Sequence, residues 1–527
     1  MGTCINPGID GFMTVRNGRY IDKSGLIATM NSKIDTTEKL ICFSRPRRFG
    51  KTVAAKMLCA YYCKGYDSKK LFDDLEIAND PGYNEKYEDY LNRYNVICLD
   101  IAGMLSVSSP DNLVKEVNSL INKELKESFD QCVDLQETID KSLYNIAYKT
   151  GEKFIAIIDE WDAPIRDSRG TSDTRREYME LLRLLFKNTV ITDKVFAGVY
   201  MTGILPIAKD GSQSALSEFR EYSMLYPDEL TKYIGFTEEE VKRICEETHM
   251  NFDTMKLWYD GYSFDRIKSI YNPYAIMEAC RTGMYRSYWK MTSAADSLLD
   301  YIDMDFGGLS KAVTELMAGL SVKIDVDGFQ NTVSDFKTKD DVLTLLVHFG
   351  YLSFDEKNET VRIPNEEIRI EFSKALRRSN HKETLQRVLE SDKLIDSTIS
   401  MDENTVARII QKIHEEETAP LTYNNEQALR GVLKLAYFSY KDKYSRFEEL
   451  PSGKGYADLV YIPKRDSHVP ALIIELKWNK TAEAAIDQIK DRNYAQAVID
   501  YSEDILMVGI NYDEKTHVHT CKIEKFV

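Results

Sequence analysis

Short apolar runs, each closed by a polar or small residue, recur in the first part of the chain and set its expected architecture. They are Leu40-Ile41-Cys42-Phe43, Asn95-Val96-Ile97-Cys98-Leu99-Asp100-Ile101, Phe154-Ile155-Ala156-Ile157-Ile158 and Val195-Phe196-Ala197-Gly198-Val199-Tyr200-Met201. Runs this continuous suit strands buried on both faces of a parallel sheet. Between them lie helical periods: Ala54, Ala55, Met57, Leu58 and Tyr61, then Leu113, Val114, Val117, Leu120 and Ile121 within about 111–148, then 174–188. Strand and helix alternating from 40 to 205 predict a doubly wound α/β domain.

Beyond residue 226 the pattern turns helical and aromatic. Gly235-Phe236-Thr237-Glu238-Glu239-Glu240-Val241 opens a helix with Thr237 as N-cap and Glu240 completing a capping box. The turn Trp258-Tyr259-Asp260-Gly261-Tyr262-Ser263-Phe264 is either a stacking surface for bases or, more simply, part of a small helical lid. A helix carrying Val342, Leu343, Leu345, Leu346 and Phe349 leads into two short strands around Asp355-Glu356-Lys357-Asn358. That is a winged-helix signature, and its acidic hairpin favours packing over DNA binding. Residues 378–417 read as charged helices forming a solvated connection, with Glu415-Glu416-Glu417 on a solvated face. The last stretch offers an amphipathic helix from Asn425, strand patterns at 455–463 and 471–478, a helix with Ile486, Ile489 and Ala495, and a closing run at 504–510. These predict a second, smaller α/β core.

Polar residues cluster where the runs end. Phe43-Ser44-Arg45-Pro46-Arg47-Arg48-Phe49-Gly50-Lys51-Thr52-Val53 is strand, basic loop and helix start, the context of a phosphate-binding P-loop. In such a loop the helix amides face an anion, the Lys51 ammonium reaches the outer phosphates and the Thr52 hydroxyl ligates Mg²⁺. Arg45 stands where G-x-x-x-x-G-K-[ST] has its first glycine, and Arg45, Arg47 and Arg48 either hold phosphate or fasten the lid. The third run ends in Asp159-Glu160, the Walker B arrangement, with Asp159 holding Mg²⁺ through water and Glu160 polarising the attacking water as general base. Thr202, closing the fourth run, is a candidate γ-phosphate sensor or simply the end of a strand. Tyr20-Ile21-Asp22-Lys23-Ser24-Gly25-Leu26-Ile27 either surrounds the adenine or caps a packing helix, and Arg220 is the candidate for an arginine supplied in cis.

Composition narrows the field only a little. A chain of 527 residues exceeds what one core holds. A net charge of −16 argues against a protein coated in nucleic-acid-binding surface, though not against a local basic groove. The nine cysteines are scattered singly apart from Cys59 and Cys63, without paired zinc spacing, so they read as buried thiols of a cytoplasmic protein. With no secretory leader pattern and no apolar run long enough to span a membrane, a soluble intracellular protein is expected. A purely structural role fits poorly, because carboxylates at the ends of buried strands are costly without a ligand.

Phe43-Ser44-Arg45-Pro46-Arg47-Arg48-Phe49-Gly50-Lys51-Thr52, the segment Ile157-Ile158-Asp159-Glu160-Trp161-Asp162-Ala163-Pro164-Ile165 and Thr202-Gly203-Ile204-Leu205-Pro206-Ile207 resemble the predicted AAA-ATPase-like family of bacterial proteins. These typically carry a carboxy-terminal nuclease-type domain. In that family Arg-Pro-Arg-Arg-Phe-Gly-Lys-Thr is the usual P-loop, so Arg45 departs from the general motif and not from the family. The resemblance implies ATP and Mg²⁺ as cofactors.

A second constellation lies near the end of the chain. Asp458 begins one strand pattern, while Glu475 and Lys477, two apart on the next, share a face. Hairpin pairing would bring Asp458 beside Glu475, making a Mg²⁺ site with an adjacent water-orienting ammonium. In order and residue type this resembles the PD-(D/E)XK nuclease superfamily. Glu426 matches its supporting acid on the first helix, Gln488 and Tyr494 resemble the Gln-and-Tyr helix of its exonuclease-like branches, and Ala457 replaces the usual proline before the first Asp.

The expected layout is a P-loop AAA-type domain (1–225), a helical lid (226–300), a winged-helix-like module (301–377), a helical connector (378–420) and a restriction-endonuclease-like α/β domain (421–527). The expected function is an ATPase controlling a Mg²⁺-dependent nuclease acting on DNA or RNA, without membrane association and with homo-oligomers in view. The alternative is a nucleotide-switched binding module whose nuclease fold is inactive.

Overall fold

The computed structural model describes residues 2–207, 216–226, 228–262, 264, 267, 269–289, 301–304, 306–317, 319–327, 329, 336–378, 382–417, 429–430, 432–433, 436–437, 440, 443–452, 455–464, 467, 469–499, 501–502 and 504–526. The chain divides into two compact units, Met1–Thr292 with Lys323–Ile368, and Ser293–Val322 with Arg369–Val527.

In the first unit, β1 (Leu40–Ser44), β2 (Asn95–Asp100), β3 (Phe154–Asp159), β4 (Phe196–Gly203) and β5 (Arg220–Tyr222) form one sheet in the order β2-β3-β4-β1-β5. All neighbours are parallel. β1, β3 and β4 are buried at every position, as their continuous apolar runs require. Because β4 lies between β1 and β3, the P-loop, the Asp159-Glu160 pair and Thr202 leave the same edge of the sheet side by side. The helical stretch around 111–148 is two helices, Leu113–Ser128 and Ile139–Thr150.

Residues near the start of the chain pair with β2, the outermost strand. Ile5 forms an antiparallel bridge with Ile97, Asn6 N donates to Val96 O at 2.9 Å and Cys98 N to Cys4 O at 2.8 Å. Glu124 secures this segment by accepting from the amides of Thr3, Cys4 and Ile5 at 2.8, 2.9 and 2.7 Å. Cysteines that are dispersed in sequence gather here: Cys4, Cys59, Cys63 and Cys98 lie near one another, and the Cys59 thiol donates to the Gly8 carbonyl at 3.8 Å. Burial pushes Cys4 and Cys63 up to about 11, which suits unreactive thiols, and all nine cysteines are free.

The lid helices Glu238–Thr248, Phe252–Tyr259 and Pro273–Thr282 share a core of Phe236, Val241, Ile244, Met255, Tyr271 and Ile276. Both bonds of the Thr237–Glu240 capping box form. In the aromatic turn Tyr259 and Tyr262 pack inward: both are buried, and the Tyr262 hydroxyl donates to the Gly350 carbonyl. The helix Lys339–His348 precedes an antiparallel hairpin, Ser353–Asp355 with Thr360–Arg362, as the winged-helix pattern predicts.

The second unit is built on β6 (Tyr444–Ser452), β7 (Gly455–Pro463), β8 (Ala471–Trp478), β9 (Ile505–Asp513) and β10 (Val518–Lys525), adjacent in that order. Only β8 and β9 are parallel, and the helix Ala482–Asp491 supplies the crossover that such a pair needs. Ile473 and Met507 face Ile486 and Ile489 of that helix, whereas Leu472, Ile474 and Val508 face the opposite core. Leu394 and Ile395 of the helix Lys382–Ile399 and Val406 and Ile410 of Glu403–Glu417 belong to that opposite core. These helices therefore form one layer of the unit and are not a solvated connector, although Glu415 is exposed as expected.

Candidate functional sites

Gly50 closes the basic loop in left-handed backbone (φ 95°), and the helix Lys51–Tyr62 starts immediately after it, presenting its first amides to the loop. Lys51 is buried, with Nζ donating to the carbonyls of Arg45 (3.0 Å) and Pro46 (2.9 Å) and lying 3.4 Å from Glu160 Oε1. The Asp159 carboxylate accepts from Thr202 Oγ1 at 3.2 Å, with Thr52 close by. Burial raises the Asp159 carboxyl above its ordinary range, with Thr52 and Lys51 opposing and Glu160 adding to the rise. Lys51, Thr52, Asp159, Glu160 and Thr202 thus converge from three adjacent strand ends.

Beside them opens a cavity of about 390 Å³, floored by Gly50, Lys51, Thr52 and Val53. Tyr20 and Ile21 wall one side, and Tyr274 and Met277 of the lid close the other. The segment after Tyr20 lines the cavity with Tyr20, Ile21 and Lys23 and leads into the helix Gly25–Lys33. Lys23 ties it to the lid through Glu240 at 2.6 Å, a pair only 11% exposed on each side.

The four candidate arginines part company. Arg45 turns into the core: it is fully buried, donates to the Ser223 carbonyl and lies 5.3 Å from the Phe264 ring centre. Burial pulls its guanidinium down to about 9, and it does not line the cavity. Arg48 does, with its guanidinium 3.8 Å over the Tyr274 ring, so it fastens loop to lid. Arg47 is lowered by burial and then by its like-charged neighbour Arg166. Arg220 lies on β5, paired with Glu38 at 3.0 Å, both well exposed.

Sequence reasoning passed over Asp162 and Arg166. Asp162 is fully buried and accepts from the amides of Ile204 (3.2 Å) and Leu205 (2.8 Å) and from Arg166 Nε (2.7 Å). Phe49 and Val53 complete the loop without offering a polar side chain. Gly203 must lack a side chain, because a Cβ there would lie 2.7 Å from Asp162 Oδ1 and from the Trp161 ring. The i,i+4 spacing of Asp162 and Arg166 was the available signal.

In the second unit the β7–β8 pairing ends at Leu459 and Ile474. Just beyond, Asp458 Oδ2 accepts from the Leu476 amide at 3.0 Å, replacing the lost ladder bond. Lys477 Nζ lies 3.2 Å from Glu475 Oε1, which also accepts from Gln488, and Gln488 Nε2 reaches the Tyr494 hydroxyl at 3.4 Å. Asp458, Glu475, Lys477 and Gln488 are therefore brought together. Glu475 is raised to about 7 by burial and then by Asp458, with Lys477 opposing. Its Oε2 is buried without a hydrogen-bond partner, which is the kind of hard oxygen a Mg²⁺ ion would satisfy. Arg430, given no role from sequence, donates to Asp458 Oδ1. Glu426 lies outside the described residues, and among those described no three acidic, His or Cys side chains converge on one point.

The fold and these two clusters define a P-loop nucleotide-binding domain followed by a separate nuclease-type α/β domain. Residues 7–212 match the model of the predicted AAA-ATPase family, and residues 424–522 match that of the PD-(D/E)XK nuclease superfamily. The chain joins one domain of each kind. The "uncharacterized protein in vnfD 5'region" of Azotobacter chroococcum mcd 1 is 20% identical over 520 residues, spanning 96% of this chain and 95% of its own length. The Aeropyrum pernix ORC2 protein, solved in ADPNP–ADP complexes, aligns with 72% of this chain and 98% of its own at 10% identity, with a TM-score of 0.30, too low to carry weight. Among the described residues no helix is long and apolar enough to cross a membrane.

Proposed function

We propose that ATP binds and is hydrolysed at the Lys51–Asp159–Glu160 site, and that this cycle controls a Mg²⁺-dependent phosphodiesterase at Asp458 and Glu475 acting on DNA or RNA. The observation that carries the nuclease half is Glu475, a carboxylate only 2% exposed whose Oε2 has no partner and whose Oε1 faces Lys477. An apolar core has no use for such a group.

In the first site, Lys51 leaves the Arg45 and Pro46 carbonyls to reach the outer phosphates. Thr52 and Asp159 would hold Mg²⁺, Glu160 accepts the proton of the attacking water, and Thr202 registers the terminal phosphate through Asp159. In the second, Asp458 and Glu475 would hold Mg²⁺, which when bound activates water and offsets phosphate charge. Lys477 stabilises charge developing on the phosphate, while Gln488 fixes the orientation of Glu475. A bacterial, cytoplasmic protein able to form homo-oligomers, with the helices at 382–417 belonging to the nuclease-type unit, completes the proposal.

The test is cleavage of plasmid, single-stranded DNA and RNA by the full chain with Mg²⁺, with and without ATP. Cleavage is expected, lost in Glu475→Ala and in Lys477→Ala, and persistence in both variants refutes the nuclease assignment. One observation favours a second reading: the Arg430 guanidinium already engages Asp458, as in a nuclease fold kept for binding. Tight nucleic-acid binding without cleavage under either Mg²⁺ or Mn²⁺ selects that reading.

A further inference from the structure

Glu160 is held by both of its oxygens. Oε1 lies 3.4 Å from Lys51 Nζ, and Oε2 accepts from Arg166 Nη2 at 2.5 Å. Arg166 is anchored in turn, its Nε donating to Asp162 Oδ2 at 2.7 Å and its Nη2 reaching Oδ1 at 3.3 Å. Asp162 is fixed by the amides of Ile204 and Leu205, just after Thr202 and Gly203. The Asp162 carboxylate therefore ties the guanidinium that holds Glu160 to the segment leaving β4. Glu160 also sits in left-handed backbone (φ 55°), a conformation unfavourable for a residue with a Cβ and tolerated where surrounding contacts over-determine it.

The two cations on Glu160 differ in their freedom. Lys51 belongs to the phosphate loop, and a bound nucleotide draws its ammonium toward phosphate oxygens. Arg166 is forked onto two carboxylates and has no comparable reason to leave. Resting on the nucleotide reading above, we infer that Arg166 is the positioning residue for Glu160. It holds Oε2 in place so that Oε1, vacated by Lys51, is the oxygen that takes the proton of the attacking water. Arg166 acts through Glu160 and does not line the nucleotide cavity.

The experiment compares full-length wild type, Arg166→Gln, Arg166→Lys and Glu160→Gln. It measures kcat and KM for ATP, with nucleotide affinity from a fluorescent ATP analogue. Arg166→Gln is expected to lower kcat about tenfold or more while KM and affinity stay within about twofold, because the lost interaction serves only the chemical step. Arg166→Lys keeps a positive charge without the fork, so it restores only part of kcat. A kcat near wild type in Arg166→Gln, or affinity falling in step with kcat, overturns the assignment. If Arg166→Gln does not fold, Arg166→Lys decides, and wild-type kcat in it is the overturning result. If wild type does not turn over ATP, or Glu160→Gln still does, the nucleotide reading fails and this inference with it. If Glu160→Gln abolishes turnover while the Arg166 variants behave as wild type, the Arg166 inference alone fails.

Discussion

Replacing Asp162 with alanine would strand three donors at once. The carboxylate is fully buried and accepts from Ile204 N at 3.2 Å, Leu205 N at 2.8 Å and Arg166 Nε at 2.7 Å. Each amide left buried without an acceptor costs about 1–3 kcal/mol. Arg166 loses one of two carboxylate partners and keeps Glu160, so its share is smaller than the about 3–5 kcal/mol of a fully broken buried pair. A total of about 4 kcal/mol is expected for Asp162→Ala, a large part of the about 5–15 kcal/mol that holds a typical domain. Asp162→Asn keeps an acceptor for the amides and should cost about half as much. Hydrogen exchange read on peptides covering residues 203–207 reports on this edge of the sheet directly. Exchange at Ile204 and Leu205 should quicken at least about tenfold in Asp162→Ala. Wild-type exchange there, with an unchanged denaturation midpoint, would refute the idea that Asp162 organises this edge of the sheet.

Other consequences can be checked separately. Lys51→Ala should abolish binding of a fluorescent ATP analogue, and it should also loosen the loop, because Nζ bridges the Arg45 and Pro46 carbonyls; measurable affinity near wild type would contradict this. Arg430→Gln releases Asp458 from a charge-assisted hydrogen bond, so Mn²⁺ affinity read by EPR should rise about tenfold, whereas Asp458→Asn should lower it. Burial holds His519, 2.7 Å from His414 in a pocket against Tyr512, down to about 3. A folded-state value below the ordinary 6.5 means that its contribution to stability is present above pH 6.5 and is lost as pH falls toward 3, at about 1.4 kcal/mol per pH unit. The drop in urea midpoint between pH 7.5 and pH 5 should therefore shrink in His519→Gln, and an equal drop in both proteins would contradict it.

What could be read from sequence follows from how tightly each feature constrains it. Strands buried on both faces must be apolar at nearly every position, so β1 to β4 stood out, and a carboxylate pair at the end of β3 was conspicuous for the same reason. Glu475 and Lys477 could be set on one face because the strand period is two, and they meet at 3.2 Å. At 382–417 the charged faces outweigh a narrow apolar stripe of Leu394, Ile395, Val406 and Ile410, so the pattern reads as solvated although the stripe is core. For Arg45 a basic loop leaves phosphate and lid both open, and only the packing around Ser223 and Phe264 decides where one side chain of such a loop points. Asp162 meeting the Ile204 amide, Arg430 meeting Asp458 and four cysteines meeting behind the P-loop helix all join positions remote in sequence. No local periodicity records those contacts.

The pairing of residues 4–6 with β2 bears on how the protein can be handled. An open outer strand offers unpaired N–H and C=O groups to any other chain, and sheets whose rims are bare tend to join edge to edge. Here Cys4, Ile5 and Asn6 occupy that rim at Val96, Ile97 and Cys98, under the clamp of Glu124. Trimming these few residues, or crowding them with a fused tag, would bare the strand and invite precipitation without touching either candidate site.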